Sequence, residues 1–320
     1  MGDMPFLAPP PPVPARIATV DRPTQMSAYG SGLLFSKRDP ASGRFKLWYT
    51  ETGRPPAPLP IADRSVPFDA DLGPGAHGHF LAVYSRCRHE PRWDPIDEAA
   101  PPNYANGRGC DLFELDLTTS TERKLPASST TADEVLPAVW KDGLAFARVY
   151  SKTNIRMYFR KGNGGSKLMP GGPANGRPNG VDLYGRRLAF GWEYPGQYDG
   201  PASDLRMDDV VTARATLIER FRGGGLTTIS LTAPAFEGGK LYYAKLCQGD
   251  ESGCPHRAGL VRVRYSTGER SRANIGRYDL WQARGEGLTY LLHDDGGYRS
   301  CFSTSQPQTC TIQATMPEYE

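Results

Sequence analysis

The hydrophobic positions of this chain follow one phrase, repeated. An apolar strand is followed by a turn containing glycine, then by a second apolar strand. The phrase reads "MSAYGSGLLFSKRD" (Met26–Asp39), "FDADLGPGAHGHFLAVYSRC" (Phe68–Cys87) and "LPAVWKDGLAFARVY" (Leu136–Tyr150). It returns as "NGVDLYGRRLAFGWEY" (Asn179–Tyr194), "TAPAFEGGKLYYAKLC" (Thr232–Cys247) and "YDLWQARGEGLTYLLHDD" (Tyr278–Asp295). Taking Leu34, Ala82, Ala145, Ala189, Tyr242 and Thr289 as equivalent, the copies are spaced by 48, 63, 44, 53 and 47 residues. A third strand is predicted after each copy: "FKLWYT", "CDLFELDL", "IRMYFRK", "DVVTARA", "LVRVRYS" and "CTIQAT". These segments alternate or run apolar and are rich in β-branched and aromatic residues. A weaker fourth follows in "APLPI", "ERKLPA", "SKLMPG", "TLIERF" and "ERSRAN".

Four strands recurring at this period make a β-propeller blade, whose apolar faces are buried only when blades stack around an axis. A pair of β-sandwiches would share the short strands and turn signals, but six copies in one strand order favour an all-β, six-bladed propeller. The sixth copy lacks a fourth strand of its own. "ARIATVD" (Ala15–Asp21) is strand-like and has no blade. It is expected to complete the sixth blade and close the ring, leaving no open sheet edge there. The expected organisation is a Pro-rich spacer over residues 1–14 and a single propeller domain over 15–320.

Composition agrees with this. Of 320 residues, 36 are glycine and 29 proline, punctuation suited to many short strands. A net charge of +3 with no Lys/Arg block gives no nucleic-acid footprint. No apolar run is long enough to span a bilayer. The start, "MGDMPFLAPPPPVPAR", has neither a basic opening nor a continuous apolar core, so it reads as an extended spacer.

The segments "PAVWKDGLAFARVY…IRMYFRKG" and "VDLYGRRLAFGWEY" resemble TolB-like six-bladed propellers, and "FDADLGPGAHGHFLAVYSRC…GCDLFELDL" resembles uncharacterised secreted bacterial proteins of that kind. The resemblance runs over most of Met26 to Thr315, although the Pro-x-Trp-Ser-Pro-Asp-Gly form of the repeat is absent. It implies the architecture and an envelope or extracellular binding role, and it carries over no catalytic residue.

The six cysteines fall in pairs at the ends of second and third strands: Cys87 and Cys110, Cys247 and Cys254, Cys301 and Cys310. Facing positions at the mouth of a hairpin bring two Cβ atoms within disulfide reach. The spacings are wider than those of structural zinc pairs, and no Cys-x-x-Cys is present. Three local disulfides are therefore favoured over free buried thiols or a metal site. Each would contribute about 3 kcal/mol in the loop-entropy account and implies an oxidising compartment, extracellular or in the cell envelope.

Candidate chemistry is sparse. His77 and His79 fit a solvated hairpin tip better than a metal site. No Gly-x-Ser-x-Gly elbow is present, and "GGGL" and "GNGG" lack the strand, helix and Lys-Ser/Thr of a phosphate loop. Asp69, Asp71, Asp182 and Asp279 occupy first-strand positions, which line a propeller's channel. They are the candidate ligand-binding residues, able to hold a divalent cation or a basic segment there. The competing reading is that they bond turn amides or pair with arginines. Trp140, Trp192 and Trp281 are expected to pack between blades. The expected function is a monomeric, non-catalytic binding propeller for a protein segment or glycan at one channel face. The alternatives are a polysaccharide hydrolase or lyase using channel carboxylates, and a structural domain of a surface assembly.

Overall fold

The computed structural model describes residues 15–20, 25–90, 108–126, 132–196, 201–222, 227–249, 259–273, 279–294 and 310–320. These residues form 24 strands in six four-stranded antiparallel sheets, arranged as the blades of a β-propeller, with no helix among them. Accordingly, no helix is long and apolar enough to cross a membrane.

From axis to rim, blade 1 is β2 (Met26–Tyr29), β3 (Gly32–Arg38), β4 (Phe45–Glu51) and β5 (Ala57–Pro58). Blade 2 is β6 (Asp71–Pro74), β7 (Phe80–Cys87), β8 (Cys110–Asp116) and β9 (Thr121–Lys124). Blade 3 is β10 (Asp133–Trp140), β11 (Gly143–Ser151), β12 (Asn154–Lys161) and β13 (Lys167–Leu168). Blade 4 is β14 (Arg177–Tyr184), β15 (Arg187–Pro195), β16 (Pro201–Asp209) and β17 (Arg214–Phe221). Blade 5 is β18 (Thr227–Glu237), β19 (Lys240–Gly249), β20 (Gly259–Arg264) and β21 (Arg270–Ala273). Blade 6 is β22 (Asp279–Gly285), β23 (Leu288–Asp294) and β24 (Cys310–Thr315), completed at the rim by β1 (Ala15–Val20). β1 pairs antiparallel with β24 from Ala15↔Ala314 to Val20↔Cys310, so the two ends of the chain close the ring.

Burial explains the sequence pattern. A second strand has a neighbouring blade on each face, so β3, β7 and β11 bury nearly every residue and read as continuous apolar runs. Third strands β4 and β8 alternate between buried and half-exposed positions, and β9 at the rim is exposed throughout. The inter-blade faces are filled by side chains such as Phe35, Tyr84, Phe146, Phe190 and Tyr243. Each such side chain contributes on the order of 2 kcal/mol by leaving water.

Blade 4 departs from the sequence expectation. Its third strand is Pro201–Asp209, "PASDLRMDD", whereas "DVVTARA" holds the following turn, where Val211 is exposed. The true strand hides its pattern because its inward face is charged. Asp204 is fully buried and takes both Arg220 Nε and an Arg220 terminal nitrogen at 2.8 Å, with Tyr194 Oη donating at 3.0 Å.

A disulfide joins Cys87 to Cys110, which face each other across β7 and β8. Cys310 is also disulfide-bonded. Cys254, Cys301 and the side chain of Cys247 lie outside the described residues, as does the spacer at 1–14.

Candidate functional site

The inner strands of all six blades line an axial cavity of about 30 Å³, room for a water or two. Two inner strands reach it through β-bulges, at Leu136-Pro137 in β10 and Ala233-Pro234 in β18. Leu136 and Ala233 sit at φ 49° and 48°. A left-handed conformation at a non-glycine residue costs about 1–2 kcal/mol. The bulges turn Pro137 and Pro234 into the lining and free the neighbouring amides to face the preceding blade.

Those amides meet the predicted aspartates. Asp71 is buried; its Oδ2 accepts from Val139 N at 2.8 Å and its Oδ1 from Ser27 Oγ at 2.6 Å, tying blades 1, 2 and 3 together. Asp182 accepts from Phe236 N at 2.5 Å and Leu183 N at 2.7 Å, tying blade 4 to blade 5. Both line the cavity, and Asp182 keeps a little open surface there. Burial pushes the Asp71 carboxyl up to about 7, against the pull of its hydrogen bonds. Asp182 is also held well above the usual carboxylate range, first by burial and then by the charge of Asp71 across the channel.

Asp69 is elsewhere. It precedes β6 rather than sharing a face with Asp71, and it turns into a buried ion pair with Arg64 at 2.9 Å. Its oxygens also accept from Ser85 Oγ at 2.6 Å and Leu136 N at 2.8 Å, while Arg64 reaches Glu90 at 2.8 Å. Asp279 lies on β22, but its side chain is outside the described residues. The expected ring of four carboxylates is thus, among the described side chains, a facing pair with each acid bonded to an amide of the next blade. No group of three potential metal ligands occurs among the described residues. Each oxygen of this pair accepts one hydrogen bond.

The feature that sequence reasoning missed is at the channel mouth. Tyr29, Trp140 and Tyr184 are the last residues of β2, β10 and β14. Tyr29 meets Trp140 edge-on at 5.6 Å between ring centroids, and Trp140 meets Tyr184 at 4.1 Å. Tyr29 belongs to blade 1 and Trp140 to blade 3, so the contact crosses the intervening blade at the axis. Blade 2 permits it because Gly73 lies directly on the Val139 carbonyl and Lys141 N donates to Pro74 O at 2.6 Å, drawing β6 onto β10. At the same hairpin register blades 2 and 6 carry Pro74 and Gly285, which contribute no competing ring.

Phe80 extends the cluster beside Tyr29 at 5.4 Å, and Phe236 beside Tyr184 at 6.2 Å. Tyr29, Trp140 and Tyr184 are half-buried, keeping part of their surface open. Burial and the nearby Tyr184 raise the pKa of Tyr29, so it stays a neutral donor. The signal was in the sequence: in "AYGSG", "VWKDG" and "LYGRR" an aromatic stands just ahead of the turn. Of the tryptophans, Trp192 is buried and donates to Pro173 O at 3.0 Å, a packing role, whereas Trp140 is at the mouth. The side chain of Trp281 lies outside the described residues. His79 is exposed at a turn and lies 2.9 Å from Asp116.

No family model matches the chain, and no curated protein matches it. Among solved structures it is similar to TolB from Acinetobacter baumannii, with a TM-score of 0.50 and 11% identity over 90% of this chain and 66% of that one. It is also similar to the β-propeller domain of the Trilobed protease from Pyrococcus furiosus, at TM-score 0.48 and 11% identity over 93% and 81%. A third is an oligogalacturonate lyase in complex with manganese, at 0.45 and 11% over 95% and 99%. The chain spans about two thirds of the TolB chain. At such identity the likeness is one of fold, and a fold of this kind does not determine function.

Proposed function

We propose that this protein is an exported, non-catalytic binding propeller that holds an extended protein segment against the aromatic mouth of its channel. The observation that carries the reading is the convergence of Tyr29, Trp140 and Tyr184 at the axis, each of them only half-buried. Such rings offer large, rigid contact area at low entropic cost, and their polar tips can bond a peptide backbone. The Cys87–Cys110 disulfide supports export, since such bonds persist in oxidising compartments. The channel carboxylates serve as staples between blades in this reading.

The test is selection of peptides from a random library on the immobilised protein, repeated with Trp140→Ala. Loss of an aromatic anchor weakens binding by 2 kcal/mol or more at a hot spot, about 30-fold in Kd. Circular dichroism and a thermal melt establish that the variant is folded. Peptides that bind the variant as tightly as the parent, or a selection that yields none, would sink the proposal.

A further inference from the structure

A second surface lies at the rim, apart from the channel mouth. After β24 the chain leaves blade 6 and crosses to blade 5, where Glu320 meets Arg272 of β21. Glu320 N donates to Arg272 O at 2.9 Å, and Arg272 N donates to Glu320 O at 3.0 Å. We propose that the seam between blades 5 and 6 is a docking site for an extended, acidic, tyrosine-bearing segment, which residues 316–320 occupy in cis as a displaceable plug.

Three observations carry it. The first is the backbone. Two residues that exchange both N–H···O bonds form the hydrogen-bonded pair of an antiparallel ladder, so the segment adds itself to the outer edge of blade 5. Residues 316–320 also alternate between exposed and half-buried positions, the period of a strand with one face covered.

The second is an aromatic anchor. Tyr319 packs against a buried cluster that draws Ala244, Leu260 and Ala273 from blade 5 and Leu291 from blade 6. The Arg262 guanidinium lies over its ring at 4.6 Å, and Tyr242 meets it edge-on at 5.8 Å. Arg284, which lines the axial cavity, lies over Tyr242 at 4.3 Å, so the stack runs from the channel wall to the rim. Burial pushes the Tyr319 hydroxyl up to about 12, and it stays neutral.

The third is charge. β20 and β21 bring Arg262, Arg264, Arg270 and Arg272 to this rim, while the segment brings Glu318 and Glu320, both exposed. Glu269 and Glu219 pair with Arg264 and Arg270 at 3.3 and 3.9 Å, and Arg262 and Arg272 are the two that contact the segment. The attachment is slight, because none of residues 316–320 is fully buried. A segment held this way opens locally without unfolding the sheet beneath it. What it covers is a strand edge beside a socket for one side chain, the arrangement by which sheets take up extended peptides.

The experiment uses the full chain carrying Tyr319→Ser, which removes the anchor and leaves every strand in place. The probe is a fluorescein-labelled peptide of residues 315–320, read by fluorescence anisotropy. A segment tethered at an effective concentration of about 1 mM stays docked about nine-tenths of the time only if its free Kd is about 0.1 mM or tighter. The Tyr319→Ser chain should therefore bind the peptide with about that Kd. The parent, whose site is filled, should bind it at least about 10-fold more weakly. A peptide carrying Tyr319→Ser should lose a similar factor. One carrying Glu318→Gln and Glu320→Gln should bind more weakly and no longer respond to added salt. The altered peptides keep the test independent of any folding defect in the protein variant. Equal binding by the two chains, no binding by the Tyr319→Ser chain, or a serine peptide that binds as tightly as the original overturns the proposal. So does a parent that sediments as a dimer and becomes monomeric with Tyr319→Ser, because the segment would then dock in a second copy.

Discussion

Raising the pH should destabilise this propeller through Asp71, and Asp71→Asn should remove that response. An unfolded aspartate titrates near 3.9, whereas in the fold burial holds Asp71 at about 7. Between those values the folded chain binds more protons at this site than the unfolded chain. Stability contributed by the protonated carboxyl is therefore present at pH 4 and lost as the pH rises to 7. A displacement of about 3 pKa units corresponds to roughly 4 kcal/mol over the whole window, as an order of magnitude. Asparagine is nearly isosteric, can accept the Val139 N–H, and is neutral throughout, so the variant should match the parent within about 1 kcal/mol at pH 4. By pH 8 it should be the more stable by several kcal/mol. Urea unfolding followed by tryptophan fluorescence at both pH values measures this. Asp182 and Asp208 are also raised by burial, so the parent-minus-variant difference is the quantity to read. A difference that stays constant from pH 4 to 8 would refute the argument that burial dominates at Asp71.

Asp208, buried at blade 4 with burial likewise raising it to about 7, predicts the same sign of pH response, and Asp208→Asn should remove its share in the same assay. Replacing Cys87 and Cys110 with serine opens a crosslink between residues 23 apart and should cost about 3 kcal/mol, read as a lower urea midpoint. Gly73→Ala places a Cβ on the Val139 carbonyl and should lower Tm by several degrees, because backbone there cannot yield as a side-chain tip could. Calcium or magnesium should leave Tm unchanged. A stabilisation by either ion that Asp182→Asn abolishes would instead assign a cation to the channel.

The fold was legible because its dominant cause is periodic. A strand buried on both faces must be apolar throughout, and a strand one place further out must alternate, so each blade prints the same gradient on the sequence. The prediction failed at blade 4, where Asp204, Arg206 and Asp208 occupy the inward face of β16 and break the pattern that hydrophobicity reveals. Site geometry was less legible because it depends on long-range pairs. Nothing local tells that the Leu136 amide, 67 positions away, will claim Asp69, or that the Val139 amide, 68 positions away, will claim Asp71. The aromatic mouth lies between these cases. Its rings recur at one register of the repeat, but that they touch depends on blade 2 being drawn against blade 3.

The staples and the mouth belong to one arrangement. Asp71 holds the amide of Val139, the residue before Trp140, and Asp182 stands two residues before Tyr184 while holding the amide of Phe236. Each carboxylate thus fixes, through the backbone, the strand end that carries a ring. Without those bonds the bulged inner strands, with Leu136 and Ala233 in left-handed conformations, would have a strained backbone and no partner for the amides they turn inward. Burying two carboxyl groups in a narrow channel is unfavourable, and their raised pKa values express that. Its return is a rigid ring of strand ends at the axis. The proposed binding surface, three side chains from three blades, needs such rigidity, since the rings keep their mutual geometry only if the blades cannot slide.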